Sequence, residues 1–422
     1  MIRLAYSLLF YLVQPLVWCR LAWRARRQPD YLRHLGERYG FYTQRAPNPQ
    51  PSLLWLHAVS VGETRAAVPL IEALLAAYPR HALLLTHMTP TGRAVGAELI
   101  DKYAPRLSQV YLPYDLPDAC ARFLDRFKPR VGLLMETEIW PNLIAAARAR
   151  QLPVLLISAR LSAQSQRGYR RFLPLIRPAV EKLSAVAAQT QADARRLESL
   201  GARDTRVTGN LKFDVTPAAE KLQLGGEWRQ ALGDRPVWLA ASTREGEEAL
   251  LLDAFARLAP TDALLLLVPR HPQRFDEVAA LIEARQLLFR RRASGQFPAP
   301  ETRVWLGDSM GEMPAYFAVA DVAVIGGTLL PFGGQNLIEA AACGCPALIG
   351  QHTYNFAQAA EDALACGAAR RVADADDALR TMQALLADRV ASAAMRQAAK
   401  AFSQAHRGAA EKTIAIVKEF AD

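Results

Sequence analysis

The chain has 422 residues, more than one ordinary domain contains, so its length predicts two domains of about 200 residues each. A hydrophobic content of 51% is enough for large cores and excludes an intrinsically disordered protein. The net charge of +10 comes mainly from arginine, and clustered arginine suits an anionic partner, either a lipid surface or a nucleic acid.

The first residues predict a membrane anchor. No charged residue occurs from Leu4 to Cys19, and Arg20, Arg24, Arg26 and Arg27 follow at once. A cleaved signal peptide has its positive charges before the apolar stretch, so we interpret residues 1–23 as an anchor that is retained. The positive-inside rule then places the rest of the chain in the cytoplasm, at the inner membrane. The segment either crosses the bilayer or lies in its inner face, with Pro15 breaking the helix, and an ordinary buried helix is the alternative.

A basic segment follows the anchor and gives a second reason to expect a membrane surface. Residues 20–45 contain seven arginines against Asp30 and Glu37, a local excess of 7 − 2 = +5. Arginine beside an anchor favours anionic headgroups. Nucleic acid is not expected as a partner, because no known nucleic-acid motif is present.

Beyond residue 24 the pattern alternates short apolar strands with helices, which is typical of a doubly wound α/β sheet. The predicted strands of the first series are Leu53–Leu56, Ala82–Thr86, Gln109–Leu112, Val131–Met135, Val154–Ile157, Ala185–Ala188 and one around Val207. Those of the second series are Val237–Ala240, Ala263–Val268, Val304–Leu306, Val322–Ile325, Ala347–Ile349 and Ala369–Val372. We therefore predict two Rossmann-like domains facing a central cleft, as in GT-B glycosyltransferases, over residues 24–214 and 229–410. Residues 215–228, with Pro217 and Gly225-Gly226, are interpreted as a hinge, and a last helix over 411–422 is expected to cross back to the first domain.

The chain lacks the phosphate-binding fingerprints of the commonest cofactors. Neither GxGxxG after an early strand nor GxxxxGK[ST] occurs, so a nicotinamide cofactor and a P-loop ATP site are not expected. The layout of two such domains without a dinucleotide fingerprint instead favours a nucleotide-sugar glycosyltransferase.

One carboxylate stands where an open α/β sheet binds ligands. Glu63 follows the strand Leu53–Leu56 and the turn Ser60-Val61-Gly62, at the start of a predicted helix. A catalytic role is one interpretation, and the alternative is an acidic residue that only complements the helix dipole.

A second polar group is predicted at neighbouring strand ends of the first domain. Glu136 and Glu138 follow the strand Val131–Met135, and two like charges in a cleft raise the pKa of one of them. Arg160 and Lys212 lie on further strand-end loops. These four residues are candidates for binding the acceptor, with a solvated loop or structural ion pairs as the alternative.

Three segments of the second domain are candidates for binding a nucleotide phosphate. They are cationic or glycine-rich and follow successive strands, where backbone N–H groups approach a phosphate. The candidate residues are Arg270, His271, Gly311, Glu312, Gly333, Gly334, Gln335, Asn336 and Glu339. No acidic metal-binding cluster stands out, so we expect neither a metal ion nor another cofactor.

Eight ordered motifs resemble those of the bacterial 3-deoxy-D-manno-octulosonic acid (Kdo) transferases of lipopolysaccharide synthesis. They are HAVSVGE (57–63), MTPTG (88–92), YLPYD (111–115), ETEIWPNL (136–143), SARLS (158–162), GNLKFD (209–214), PRHPQRF (269–275) and GGTLLPFGGQNLIEAAACGCP (326–346). Two positions depart from the family pattern: Arg244 and Gln335 stand where the family usually has histidine.

The resemblance implies a specific reaction. Kdo would pass from CMP-Kdo to a hydroxyl of a lipid A precursor (lipid IVA), with inversion at the anomeric carbon and with Glu63 as general base. A different nucleotide-sugar transferase or epimerase, and an inactive membrane-bound scaffold of the same fold, are the alternatives. Neither the number of Kdo units transferred nor the oligomeric state is specified by the sequence.

Overall fold

The computed structural model describes residues 1–26, 28–43 and 52–421, which form two compact units. The first unit comprises residues 1–215 together with the C-terminal residues 407–422, and the second comprises residues 216–406. Arg27 and Arg45 of the basic segment lie outside the described residues.

The first unit is built on a parallel seven-stranded sheet in the order β3-β2-β1-β4-β5-β6-β7. The strands are β1 (Leu53–His57), β2 (Ala82–His87), β3 (Leu107–Tyr111), β4 (Val131–Met135), β5 (Val154–Ala159), β6 (Ala185–Ala188) and β7 (Thr205–Val207). β1 pairs with both β2 and β4, so the strand order reverses between β1 and β4. A crevice forms at the carboxyl ends of two such strands, because the connections leave them toward opposite faces of the sheet.

Helices cover both faces of this sheet, which explains why its central strands are continuous apolar runs. They are α1 (Ile2–Leu12), α2 (Gln14–Ala25), α3 (Val61–Ala77), α4 (Pro90–Tyr103), α5 (Pro117–Phe127), α6 (Pro141–Ala149), α7 (Ala163–Arg171), α8 (Leu173–Val180) and α9 (Gln191–Ser199). Five of them (α2, α4, α5, α6 and α8) have proline at the first or second position, where the missing N–H costs no hydrogen bond.

The second unit repeats the plan with another parallel seven-stranded sheet, in the order β10-β11-β9-β8-β12-β13-β14. Its strands are β8 (Val237–Thr243), β9 (Leu264–Pro269), β10 (Phe289–Arg291), β11 (Val304–Leu306), β12 (Val322–Ile325), β13 (Ala347–Ile349) and β14 (Ala369–Arg371). Its helices are α10 (Ala219–Leu232), α11 (Glu247–Leu258), α12 (Phe275–Glu283), α13 (Met313–Val319), α14 (Leu337–Ala342), α15 (Ala357–Ala365), α16 (Ala375–Ala387) and α17 (Arg389–Ala405). The strand order reverses between β8 and β12, so this sheet has its own crevice.

The last helix, α18 (Ala409–Ala421), belongs to the first unit, as its apolar pattern led us to expect. Its buried residues Ile416 and Val417 join the core under α3. The Asp214 carboxylate accepts hydrogen bonds of 2.6 Å from the N–H groups of Gly408 and Ala410, which fixes the start of this helix.

The interpretation of residues 215–228 as a hinge is wrong for most of that segment. The division between the units falls after Val215, and α10 begins at Ala219. A Cβ on Gly225 would come within 2.5 Å of the Ala315 carbonyl oxygen, so this glycine allows α10 and α13 to pack closely. Gly225 therefore indicates a tight helix contact, not flexibility.

The N-terminal segment forms two helices, not one. No single helix in the described residues has the length and apolar character needed to cross a bilayer; α1 and α2 meet the requirement only when taken together, across a 46° bend. α1 is tied to the first unit by the Tyr6 hydroxyl, which donates to Asp115 at 3.0 Å, and by Ser7, which donates to Asn142 at 3.1 Å. Tyr11 donates a third hydrogen bond, to Asp118.

Candidate functional site

Glu63 lies at the carboxyl end of β1, on the first turn of α3, beside the point where the strand order of the first sheet reverses. Its carboxylate accepts a hydrogen bond from the Val59 N–H at 2.8 Å and one from the Ser60 hydroxyl at 3.2 Å. These bonds stabilise the helix start in the manner of a capping box, so the structural interpretation of Glu63 holds in part. They also fix the carboxylate at the edge of the sheet.

The electrostatic setting of Glu63 is unusual for a helix-capping residue. Burial and the nearby charge of Glu136 raise its pKa to about 7, from an ordinary value of 4.5. Glu138 adds to the effect, whereas the hydrogen bonds from Val59 and Ser60 oppose it. A carboxylate with this pKa is about half ionised at pH 7 and is basic enough to accept a proton.

Glu136 lies across the reversal point, at the carboxyl end of β4, and is held by two cations. Its carboxylate is 3.0 Å from the Lys212 ammonium and 3.6 Å from the Arg160 guanidinium. Burial alone would raise the pKa of Glu136, but the charges of Lys212 and Arg160 outweigh burial and hold that pKa below its usual value. Glu136 has a φ of 57°, a left-handed conformation that is strained for a residue with a side chain.

The pKa of Glu138 is shifted in the opposite direction to that of Glu136. Burial, together with the charge of Glu136, raises the pKa of Glu138, although the Trp140 indole donates to its carboxylate at 2.5 Å. The expectation that one of the two residues has a raised pKa holds for Glu138, with burial as the main cause. The first unit thus brings together Glu63, Glu136, Glu138, Arg160 and Lys212 around the ends of β1, β4 and β5.

His57, at the end of β1, is fully buried and is not part of an open surface. Its Nδ1 lies 2.9 Å from the Thr86 hydroxyl, and burial together with the neighbouring His87 lowers its pKa to about 3. His57 is therefore neutral at physiological pH and supports the strand end from within.

In the second unit, Arg270 and His271 follow β9, as predicted. The Arg270 Nε donates to the Gln335 side-chain oxygen at 3.1 Å. Arg244, after β8, stacks on Phe332 with its guanidinium carbon 4.6 Å from the ring centroid. Partial desolvation lowers the pKa of exposed His271, and the charges of Arg244, Arg270 and Arg274 lower it further. The effect of these three arginines shows that positive charge is concentrated at this sheet edge.

Arg274 follows the same strand but is held by two carboxylates. Arg274 contacts the fully buried carboxylate of Glu248 at 2.7 Å and Glu277 at 3.0 Å. Its charge is neutralised locally, so it anchors the loop after β9.

The glycine loop after β12 is held in a fixed shape. Gly333 and Gly334 have φ values of 89° and 85°, and a Cβ on Gly333 would come within 2.3 Å of the Tyr354 ring. The N–H groups of Gly334 and Gln335 donate to the carbonyl oxygens of Gly327 and Gly326 at 2.7 and 2.9 Å. These two N–H groups are therefore used within the loop, which corrects the expectation that they face a phosphate.

The remaining candidates of the second unit surround the same edge. Asn336 caps α14 by accepting a hydrogen bond from the Ile338 N–H at 3.2 Å, and Glu339 lies in the first turn of that helix. Gly311 is exposed with a φ of 77°, beside Glu312. Glu312 contacts Arg292 at 2.9 Å and accepts from Ser309 at 2.5 Å, so it orders the turn before α13.

One residue that sequence reasoning missed holds the second site together. The fully buried carboxylate of Glu247 accepts hydrogen bonds from the N–H groups of Arg244 at 2.9 Å, Gly327 at 2.6 Å and Leu329 at 3.1 Å. It therefore joins the loops after β8 and β12, the two strands between which the order reverses. Its signal was present in the sequence as an acidic pair, Glu247-Glu248, at the start of the helix that follows β8.

Two parallel α/β units, each with polar side chains at the carboxyl edge of its sheet, form the two-domain fold of the GT-B class. A glycosyltransferase from Rickettsia africae has this fold at a TM-score of 0.61, with 14% identity, 88% of this chain and 99% of that chain covered. Anabaena HepE in complex with UDP is similar at a TM-score of 0.59, with 16% identity, 87% of this chain and 99% of that chain covered.

Sequence comparison identifies the family. Residues 33–215 match the family described as 3-deoxy-D-manno-octulosonic-acid transferase. The Kdo transferase of Bordetella pertussis is 47% identical over 99% of both chains, and that of Haemophilus influenzae is 35% identical over 99% of this chain and 98% of its own. The chain belongs to the Kdo transferase family of lipopolysaccharide biosynthesis. The predicted family and enzyme class are thus confirmed, whereas the roles of individual site residues stay predictions.

Proposed function

We propose that the protein transfers Kdo from CMP-Kdo to a hydroxyl of a lipid A precursor, with inversion at the anomeric carbon and with Glu63 as general base. The observation that carries this proposal is the pKa of Glu63, about 7, at the carboxyl edge of the first sheet. A sugar hydroxyl is a weak nucleophile, so a base must take its proton as the new C–O bond forms. A carboxylate of ordinary acidity would be a weaker base at the same position.

The neighbours of Glu63 suit the acceptor. Lys212 and Arg160 are cations at the same sheet edge, and Glu138 is a candidate acceptor of hydrogen bonds from sugar hydroxyls. The fixed charge of Glu136 keeps Glu63 basic, while the two cations keep Glu136 ionised.

The second unit suits the donor. CMP leaves as a stable anion and needs positive charge, not a general acid, when the bond to Kdo breaks. Arg244, Arg270 and His271 provide donors and charge at the strand ends, with Gln335 orienting Arg270. A single inverting displacement requires only a base for the acceptor and cations for the leaving group. The first unit supplies the base, Glu63, and the second unit supplies the cations.

We also infer that the protein docks on the cytoplasmic face of the inner membrane through α1 and α2, which lie in the plane of the membrane surface. The hydrogen bonds of Tyr6 and Ser7 to the first unit keep α1 against the protein. The opposite side of these helices exposes large apolar side chains, among them Leu9, Leu12 and Leu16. Arg20, Arg24 and Arg26 then face anionic headgroups, at about 1 kcal/mol for each cation near the surface.

The proposed reaction is tested with the purified full chain, CMP-Kdo and a tetra-acylated precursor. Mass spectrometry should show the acceptor heavier by one or more Kdo units, and NMR should show the anomeric configuration opposite to that of the donor. Transfer from a UDP-sugar in place of CMP-Kdo, or retention of configuration, would contradict the proposal.

A further inference from the structure

An apolar trough runs between α1 and α6 in the first unit, and nothing described above assigns it a role. Its volume is about 390 Å³, and its walls are formed by Leu4 and Leu8 of α1 and by alanines of α6. Leu4 and Leu8 are 65% and 56% exposed, so the trough leaves apolar surface uncovered on the protein side of α1. Such surface is stabilised by an apolar ligand.

A cation, Arg3, joins the trough to a second depression. Arg3 lines the trough and also lines a smaller recess of about 110 Å³, whose walls include Pro141 and Lys182. Pro141 is the first residue of α6 and directly follows Trp140, the hydrogen-bond partner of Glu138. Pro141 therefore connects one wall of the recess to the chain segment that carries Glu138.

The charges at the recess are positive and uncompensated. In the described parts of the chain neither Arg3 nor Lys182 has a carboxylate within ion-pair distance. At the other end of the trough, Asp118 accepts a hydrogen bond from Tyr11 and is already paired with Arg122 at 2.8 Å. Three prolines of the recess, Pro141, Pro174 and Pro178, hold its walls rigid.

We propose that this trough and recess bind the acceptor lipid, with one acyl chain in the trough and a phosphate between Arg3 and Lys182. The inference rests on the proposed function, because it names the part of the acceptor that binds beside the proposed base. An acylated and phosphorylated sugar matches both the trough and the recess. Its acyl chain covers Leu4 and Leu8 in the trough, and its phosphate neutralises the two cations of the recess. The polar sugar is then left at the sheet edge.

The test compares two acceptors, the tetra-acylated precursor and the same phosphorylated disaccharide without acyl chains. Ala149 is exposed at the mouth of the trough, so Ala149→Trp blocks it without disturbing the core. This variant should raise KM for the acylated acceptor at least about tenfold, the affinity of roughly two buried methylene groups, and leave KM for the chain-free acceptor unchanged. Arg3→Gln/Lys182→Gln should raise KM for both acceptors.

Matched controls place the same changes on exposed positions of the first unit away from the trough. Ala76→Trp on α3 and Arg80→Gln/Lys128→Gln should leave both KM values within twofold of wild type. The proposal is overturned if Ala149→Trp leaves KM for the acylated acceptor unchanged, or raises KM for both acceptors equally.

Two further outcomes separate this proposal from the proposed function. If native mass spectrometry shows a phospholipid that wild type retains and Ala149→Trp loses, while KM is unchanged, the trough holds a membrane lipid and the acceptor proposal is wrong. If wild type transfers Kdo to neither acceptor, the proposed function fails. Binding of the acylated acceptor, measured by the same method in wild type and Ala149→Trp, still decides the trough.

Discussion

The rate of Kdo transfer should fall on the acid side of neutrality, and removing the charge of Glu136 should move that fall to lower pH. With a pKa of about 7 for Glu63, about one-tenth of the enzyme holds the ionised base at pH 6, and the rate there should be about one-tenth of its plateau. Glu136→Gln removes a like charge and leaves Lys212 and Arg160 unopposed, so both changes lower the pKa of Glu63. A decrease of about one pKa unit, equivalent to about 1.4 kcal/mol, makes Glu63 half ionised at pH 6 and raises the normalised rate about fivefold.

The assay is kcat/KM measured from pH 5 to pH 9, with each profile normalised to its own plateau so that losses in binding do not obscure the shift. Buried His57 and His87 have pKa values near 3 and 4, so neither produces a competing transition near pH 7. Glu72→Gln serves as the control, because Glu72 is exposed on α3 and pairs with Lys102. A profile that is flat between pH 5 and pH 8, or an acid limb that stays in place in Glu136→Gln, would refute the role assigned to Glu63.

Three further predictions concern stability and donor binding. Because the pKa of Glu63 is raised from 4.5 to about 7, the contribution of Glu63 to stability is present below pH 4.5 and is lost as the pH rises through 7. Glu63→Gln should therefore raise the free energy of unfolding by about 2–3 kcal/mol at pH 8 and by little at pH 4.5. Urea titrations at the two pH values test this prediction. Lys212→Gln removes the closer of the two cations that contact half-buried Glu136 and should lower the free energy of unfolding by about 2 kcal/mol. Lys212→Arg should recover part of this loss. Equal stability of wild type and both variants would show that the ion pair does not stabilise the protein. Gly333→Ala places a Cβ against Tyr354 and should weaken CMP binding at least tenfold by calorimetry. Gly295→Ala, with a similar φ of 72° but open space around it, should cost about 1 kcal/mol of stability and leave CMP binding nearly unchanged.

Much of the fold could be predicted from the sequence because both sheets are parallel and covered on both faces. Strands buried in this way are continuous apolar runs, and every predicted strand is present, with ends shifted by a few residues. The edge strand Phe289–Arg291 was missed, because its short and charged sequence lacks that pattern.

The sequence predicts which site residues lie at the ends of strands, but not which side chains they contact. The alternation of apolar strands and helices places Glu63 and Glu136 at the carboxyl edge of one sheet. The strand order then makes these two residues neighbours. It does not show that Lys212 reaches across 76 positions to contact Glu136, because a contact of this kind depends on the tertiary structure. The hydrogen bonds of Gly334 and Gln335 were unpredictable for the same reason, since a glycine sequence allows a loop conformation without specifying its partners.

The most direct test of the account is the single-turnover rate of Kdo transfer in Glu63→Gln at pH 8, with CMP-Kdo binding measured alongside. Glutamine keeps the size of the side chain and an acceptor for the Val59 N–H, but it cannot take a proton from the acceptor hydroxyl. We predict unchanged donor affinity and a transfer rate lower by about 10²–10⁴-fold. A rate within threefold of wild type would show that another group accepts the proton.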